Sequence, residues 1–178
     1  MTHINSKRGY LFEAELMEGM LLAGLNAHKI PDAKTLHTMT HIKSVADFIV
    51  GLGTKIITIE AKTTKLSRLP WANFRQHQID WCLENPGSAY FVVNFNNRDK
   101  GKDLVNRTFL VSSQDILFWS QAHKVSIPLS QFEEDCIELT RFTGKHNEEN
   151  GKAFIKFTDE VIESFINTET INKYGKQM

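Results

Sequence analysis

A chain of 178 residues, 41% hydrophobic and 24% charged, has the make-up of one globular domain with a sizeable core. Its formal charge at neutral pH is zero, so a strongly charged partner must be met by a local patch and not by the molecule as a whole. No apolar run approaches the roughly 20 residues that span a bilayer, the N-terminus lacks a signal-peptide core, and the two cysteines, Cys82 and Cys136, lack metal-ligand spacing; together these point to a reduced, cytoplasmic protein with no membrane association.

Met1 to Lys7 reads as a terminal arm with Ser6 as a helix N-cap. Helical spacing follows from Arg8 to about Gly24, with Leu11, Phe12, Leu16, Met20 and Leu21 as the apolar positions and Gly24 as the closing residue. Residues 26–46 hold a turn signal at Ile30-Pro31-Asp32 and a Thr-rich stretch from Leu36 to Ile42 that reads as strand or loop. His37 and His41 lie there four apart, but the composition is not helical, so they read as exposed histidines in preference to a zinc pair.

The next stretch concentrates the chemistry. Ala46 to Val50 and Lys55 to Lys62 are apolar, β-prone runs on either side of Gly51-Leu52-Gly53-Thr54, which is the pattern of a hairpin. Glu60 and Lys62 are two apart on a strand and so share a face. In an antiparallel hairpin the start of one strand lies beside the end of the next, which brings Asp47 to the same place. Two carboxylates and an ammonium converging on an apolar hairpin are costly unless something binds there. The chemistry suits a hard divalent cation.

Beyond the hairpin, Thr63 to Ala72 is polar and basic. A helix is expected from about Arg75 to Asn85, with Ile79, Cys82 and Leu83 inward and Pro86-Gly87 ending it. Ala89 to Phe95 reads as a central strand and Arg107 to Ser112 as another, with Ser112-Ser113-Gln114-Asp115 capping a helix to about Gln121. Ile127-Pro128-Leu129 suggests an extended segment, Phe132 to Leu139 a short helix or strand, and Arg141 to Lys152 a loop. An amphipathic helix from Phe157 to about Ile171 turns Val161, Phe165 and Ile166 inward. The expected division is a core at residues 1–124 and a C-terminal extension, residues 125–178, packed on the same domain. Lys7, Arg8, Lys65, Arg68 and Arg75 can form a local basic rim that follows phosphates despite the zero net charge, with His77 meeting phosphate or solvent.

Several words of this sequence occur together in a known family. They are Arg8-Gly9-x-x-Phe12-Glu13, Asp47-Phe48, Ile59-Glu60-Ala61-Lys62-Thr63, and Leu69-Pro70 followed by Asn73-Phe74-Arg75-x-His77-Gln78-Ile79. With the apolar strand from Phe91 to Phe95, they resemble the RecU-type Holliday junction resolvases and the relatives labelled penicillin-binding-protein-related factor A. These belong to the PD-(D/E)xK restriction-endonuclease-like superfamily. The resemblance runs over roughly residues 7–120; Val45-Ala46 stand where the superfamily name implies a proline before the first acid.

The resemblance implies an α/β fold of restriction-endonuclease-like type, with a mixed central β-sheet flanked by helices. It implies a Mg²⁺-dependent DNA endonuclease, Mn²⁺ substituting, that hydrolyses phosphodiester bonds at branched or four-way junctions in recombination and repair. Asp47 and Glu60 would hold the metal with the Ala61 carbonyl; Glu13, favoured over Glu15, would hold a metal-bound water or a second ion. Lys62 would orient or deprotonate the attacking water or stabilise charge at phosphorus, and Gln78 would contact the water or the phosphate. A junction offers two symmetric strands, which calls for a homodimer. The alternatives are a flap, nicking or restriction-type nuclease of the same fold, or a non-catalytic DNA-binding protein that keeps it.

Overall fold

A computed structural model describes residues 3–31, 44–97, 105–143 and 151–166, with side chains from residue 9 onward and excepting those of 97 and 105. The Leu36 to Ile42 stretch, with His37 and His41, lies outside the described residues, as do the side chains of Lys7 and Arg8.

The first helix, α1 (His3–Leu22), begins earlier than the spacing suggests, so Ser6 lies within it. It ends as expected. Gly24 has φ +71°, and the amides of Gly24 and Leu25 donate to the carbonyls of Leu21 and Met20. A left-handed residue here closes a helix at little cost only if it lacks a Cβ. Phe12, Leu16 and Met20 are buried, whereas Leu11 and Leu21 are exposed. The apolar stripe is therefore narrower than its five candidates.

Strands β1 (Asn26–Lys29), β2 (Phe48–Leu52) and β3 (Lys55–Thr64) form an antiparallel meander. The β2–β3 turn is two residues long. Gly53 sits at its first central position with φ +61°, the requirement of a turn whose twist matches the strands. A short β4 (Arg68–Pro70), a 3-10 turn at Trp71–Asn73 and α2 (Gln76–Glu84) then carry the chain to β5 (Ala89–Asn97), which pairs with β3 in parallel. Parallel neighbours need a crossover of this length. The antiparallel β6 (Val105–Ser112) leads into α3 (Ser113–Ala122), where the Ser112 side chain accepts from the Asp115 amide as an N-cap.

The segment after residue 125 supplies β7 (Ser126–Pro128), α4 (Leu129–Asp135), β8 (Ile137–Leu139), β9 (Arg141–Phe142), β10 (Phe154–Ile155) and α5 (Asp159–Ile166). Phe132 to Leu139 is thus helix first and strand second. β7 pairs with β4, β9 with β10, and β8 with β6. Among the described residues the main sheet has six strands in the order β1-β2-β3-β5-β6-β8. It is mixed, with helices on both faces.

Central strand β5 is buried on both sides, as its apolar run from Ala89 to Val93 requires. Tyr90 and Val92 join Phe12, Leu16, Met20, Val161 and Phe165 on the α1/α5 face. Phe91, Val93 and Phe95 join Phe74, Cys82, Trp119 and Phe132 on the α2/α3 face. Two inward assignments are corrected: Leu83 and Ile166 are exposed, at 61% and 55%. In α2 the buried positions are Gln78 and Cys82, so the helix turns a polar side chain inward. Among the described residues no helix is long and apolar enough to cross a membrane.

One close approach depends on a glycine inside a helix. A Cβ at Gly19 would lie 1.7 Å from the Ile155 carbonyl oxygen of β10. Gly19→Ala gains helix propensity of about 1 kcal/mol, yet the backbone has to move, at a cost of about 1–3 kcal/mol. The variant is expected to melt below the parent in thermal unfolding; a higher melting temperature would contradict the tight α1–β10 packing.

Candidate active site

The β2–β3 hairpin positions three of the candidate residues through its own hydrogen bonds. Asp47 lies one residue before β2. Its amide donates to the Ile59 carbonyl at 3.1 Å and its carbonyl accepts from the Ile30 amide at 2.8 Å. Its carboxylate Oδ2 accepts from the Ala61 amide at 2.8 Å. The first acid is therefore held against the residue between Glu60 and Lys62. Those two share the α2 face of β3 and are 8% and 9% exposed, an unusual depth for charged groups.

Lys62 makes this depth tolerable. Its Nζ donates to Glu60 Oε1 and to Gln78 Oε1, both at 2.8 Å, and lies 5.8 Å from the centre of the Phe74 ring. Gln78 Oε1 also accepts the Arg75 amide at 3.1 Å, one of the unpaired donors at the start of α2. One amide oxygen thus fixes the helix to the lysine. His77 Nε2 lies 3.0 Å from the Ser44 carbonyl, and the Ser44 hydroxyl donates to the Ala46 carbonyl. His77 so ties α2 to the segment that delivers Asp47.

The acids are crowded in poorly hydrated surroundings. Burial first, and the Glu60 charge second, push the Asp47 carboxyl up to about 7; the Ala61 hydrogen bond and Lys62 oppose the rise, and Glu13 adds to it. Burial and the Glu60 charge likewise push the Cys82 thiol up to about 12, so it stays protonated beside the acids. Glu13 on α1 is ion-paired to Lys29 of β1 at 2.6 Å, while its charge still bears on Asp47. Glu15 is instead held by Arg141, whose Nε and an Nη reach its two oxygens at 2.7 and 2.5 Å. Of these two acids, Glu13 is the one whose charge bears on Asp47.

The structure therefore brings together Asp47, Glu60, Ala61, Lys62 and Gln78, with Glu13 at their edge. Lys65, Arg68 and Arg75 are exposed, the first two in and after the β3–β4 turn and the third before α2. Sequence reasoning missed Lys29 and Ser44, the partners of Glu13 and His77. It had no local signal for either, because both contacts join distant segments.

Among the described residues no group of three or more His, Cys, Asp or Glu side chains forms a ready-made metal cluster. Two carboxylates and a main-chain carbonyl are nevertheless the oxygen donors Mg²⁺ accepts, since it keeps several waters. Burial, and after it the Glu60 charge, hold the Asp47 carboxyl up, and a cation between the two acids would relieve that crowding.

A carboxyl raised from 3.8 to about 7 binds its proton more tightly in the folded chain, so metal-free stability falls as pH rises from about 4 to 7. Asp47→Asn keeps an oxygen for the Ala61 amide and removes the charge. In EDTA it should be more stable than the parent above pH 7, with the gap closing toward pH 4. Denaturant unfolding across that range measures this, and a parent equally or more stable at pH 8 would contradict the crowded pair.

No curated protein matches the chain. A solved structure of similar shape is Hjc from Archaeoglobus fulgidus, a Holliday junction resolvase, at 16% identity and a TM-score of 0.47, covering 70% of this chain and 92% of that one. The family model described as Recombination protein U matches residues 26–147, a span that takes in the hairpin, the α2 helix and most of the sheet. The chain belongs to the RecU family.

Proposed function

We propose that this protein is a divalent-metal-dependent, structure-selective endonuclease that cuts DNA at four-way junctions. The observation that carries the reading is the half-buried Asp47 set against buried Glu60, Lys62 and Gln78 in a RecU-family chain. Isolated buried charges are expensive, and a hydrophobic hairpin has no structural need of two acids. A site that meets a cation and a phosphodiester does.

Asp47, Glu60 and the Ala61 carbonyl would hold Mg²⁺, or Mn²⁺ in its place, and the ion supplies an activated water together with charge neutralisation at the phosphate. Lys62, held by Glu60 and Gln78, sets a cation beside the place where negative charge builds up on phosphorus, or orients the attacking water. Gln78 has its oxygen committed to Lys62 and Arg75, so its amide nitrogen is the end that can donate to a phosphate oxygen or water. Glu13, balanced by Lys29, holds the far side of the site and would bind a metal-bound water or a second ion. Lys65, Arg68 and Arg75, with Lys7 and Arg8 from α1, follow the DNA backbone and give binding that weakens with salt. A junction has two strands to cut symmetrically, and a homodimer with a two-fold axis presents two such sites.

The test uses a labelled four-way junction, a duplex of the same sequence and a single strand, each with Mg²⁺, Mn²⁺ or EDTA. Paired, symmetric nicks confined to the junction and absent in EDTA are expected. Asp47→Asn and Glu60→Gln should each lower the rate by about a hundredfold or more with junction binding largely kept. Equal cutting of duplex would replace junction selectivity with a nicking or restriction-type activity. Binding without cutting in either metal would reduce the protein to a DNA-binding member of its fold.

A further inference from the structure

Beyond Lys62, at the C-terminal end of β3, the sheet and α1 enclose a second cleft of about 480 Å³. That volume is within the range that takes a small organic group and is far more than an ion needs. Its floor is made of amides. Asn94 and Asn96 alternate along β5, and Asn106 of β6 is the direct register partner of Asn96. Leu11 of α1 and Leu66 of the β3–β4 turn, both about half exposed, form apolar sides. The Glu15–Arg141 ion pair forms part of the wall.

The amides are oriented. Asn94 Nδ2 donates to Asn106 Oδ1 and Thr108 Oγ1 at 3.0 Å and to the Arg107 carbonyl at 3.4 Å. A main-chain carbonyl only accepts, which fixes the nitrogen on that side. That leaves the Asn94 oxygen, and turns the Asn106 nitrogen away from Asn94. The cleft lining thus carries an amide acceptor from Asn94 and an amide donor from Asn106. Arg141 and Glu15 pair with each other, and Lys65 sets a cation at the rim that suits the phosphate attached to a base. Apolar sides and an amide donor and acceptor fit the faces and the edge of a nucleobase.

The cleft also borders the candidate active site. Thr63 and Thr64 line it and directly follow Lys62 on β3, a separation of about 7 Å along a strand and the reach of a single nucleotide. Thr64 shapes the rim, its hydroxyl donating to the Arg68 carbonyl and accepting the Leu66 amide.

We propose that this cleft receives one unstacked base of the DNA strand, next to the phosphate that is cut, and that Asn94 and Asn106 read its edge. This rests on the proposed DNA substrate and adds a source of sequence preference to a structure-selective enzyme. Junctions carrying 2-aminopurine at one position at a time test it, with the full chain in EDTA so that nothing is cut. A base leaving the stack brightens. A severalfold rise at one position beside the cut is expected. Asn106→Asp keeps the acceptor for Asn94 but loses the donor, and Leu66→Ala removes an apolar side; both positions are peripheral to the fold. Each should abolish the rise while junction affinity and melting temperature stay near those of the parent. No bright position, or an unchanged signal in both variants, overturns the proposal. Cleavage in Mg²⁺, measured in parallel, separates the two readings: brightening without cutting defeats the nuclease reading alone, cutting without brightening defeats the base pocket alone, and absence of DNA binding defeats both.

Discussion

Glu60 and Lys62 lie side by side on one face of β3, nearly dry, and much of the surrounding architecture bears on that placement. The ammonium cannot rest at this depth with one partner. It takes a second from Gln78, and the same oxygen of Gln78 takes the first free amide of α2. Breaking a buried pair by removing one member costs several kcal/mol because the other is left unpaired. Helix position and charge placement are thus one constraint. The parallel pairing of β3 with β5 completes it, since the crossover that parallel strands require is the segment that carries α2 over the site.

The lysine does not balance everything. Its charge goes to Glu60, and Asp47 receives mainly a neutral amide. Burial, and then the Glu60 charge, push the Asp47 carboxyl up against that hydrogen bond. A structure-only purpose would be served as well by apolar residues at these positions, often with a gain in stability. Keeping two acids and one ammonium in the space makes sense where a dication and a phosphodiester add the missing charges. Glu13 fits the same logic from α1, being balanced by Lys29 and so able to stand near Asp47 without adding the full cost of a third acid.

The parts legible in the sequence were those set by local geometry. Two apolar, β-prone runs and the glycine-bearing turn between them gave the hairpin, and residues two apart on a strand had to share a face, which put Glu60 beside Lys62. The β-prone run from Ala89 to Phe95 marked a central strand. The depth of Gln78 was not legible, because a glutamine at helix N3 reads as surface until the lysine beneath it is known. Leu83 and Ile166 failed for the converse reason: apolar side chains are common on surfaces. Contacts between distant segments were also silent. Glu15 and Arg141 are 126 positions apart, and nothing near either residue announces the other. Asn94 did leave a trace, as a polar break in an apolar strand, but its meaning depends on Asn106 and Thr108 across the β5–β6 ladder.

The central claim is that the hairpin acids form a cation site. Crystals soaked in Mn²⁺ and measured at a wavelength where manganese scatters anomalously test it most directly. The account predicts an anomalous peak in contact with both the Asp47 and Glu60 carboxylates, and none there in Asp47→Asn crystals. A soaked crystal with no peak between those two acids, or with its manganese bound elsewhere on the chain, would contradict it.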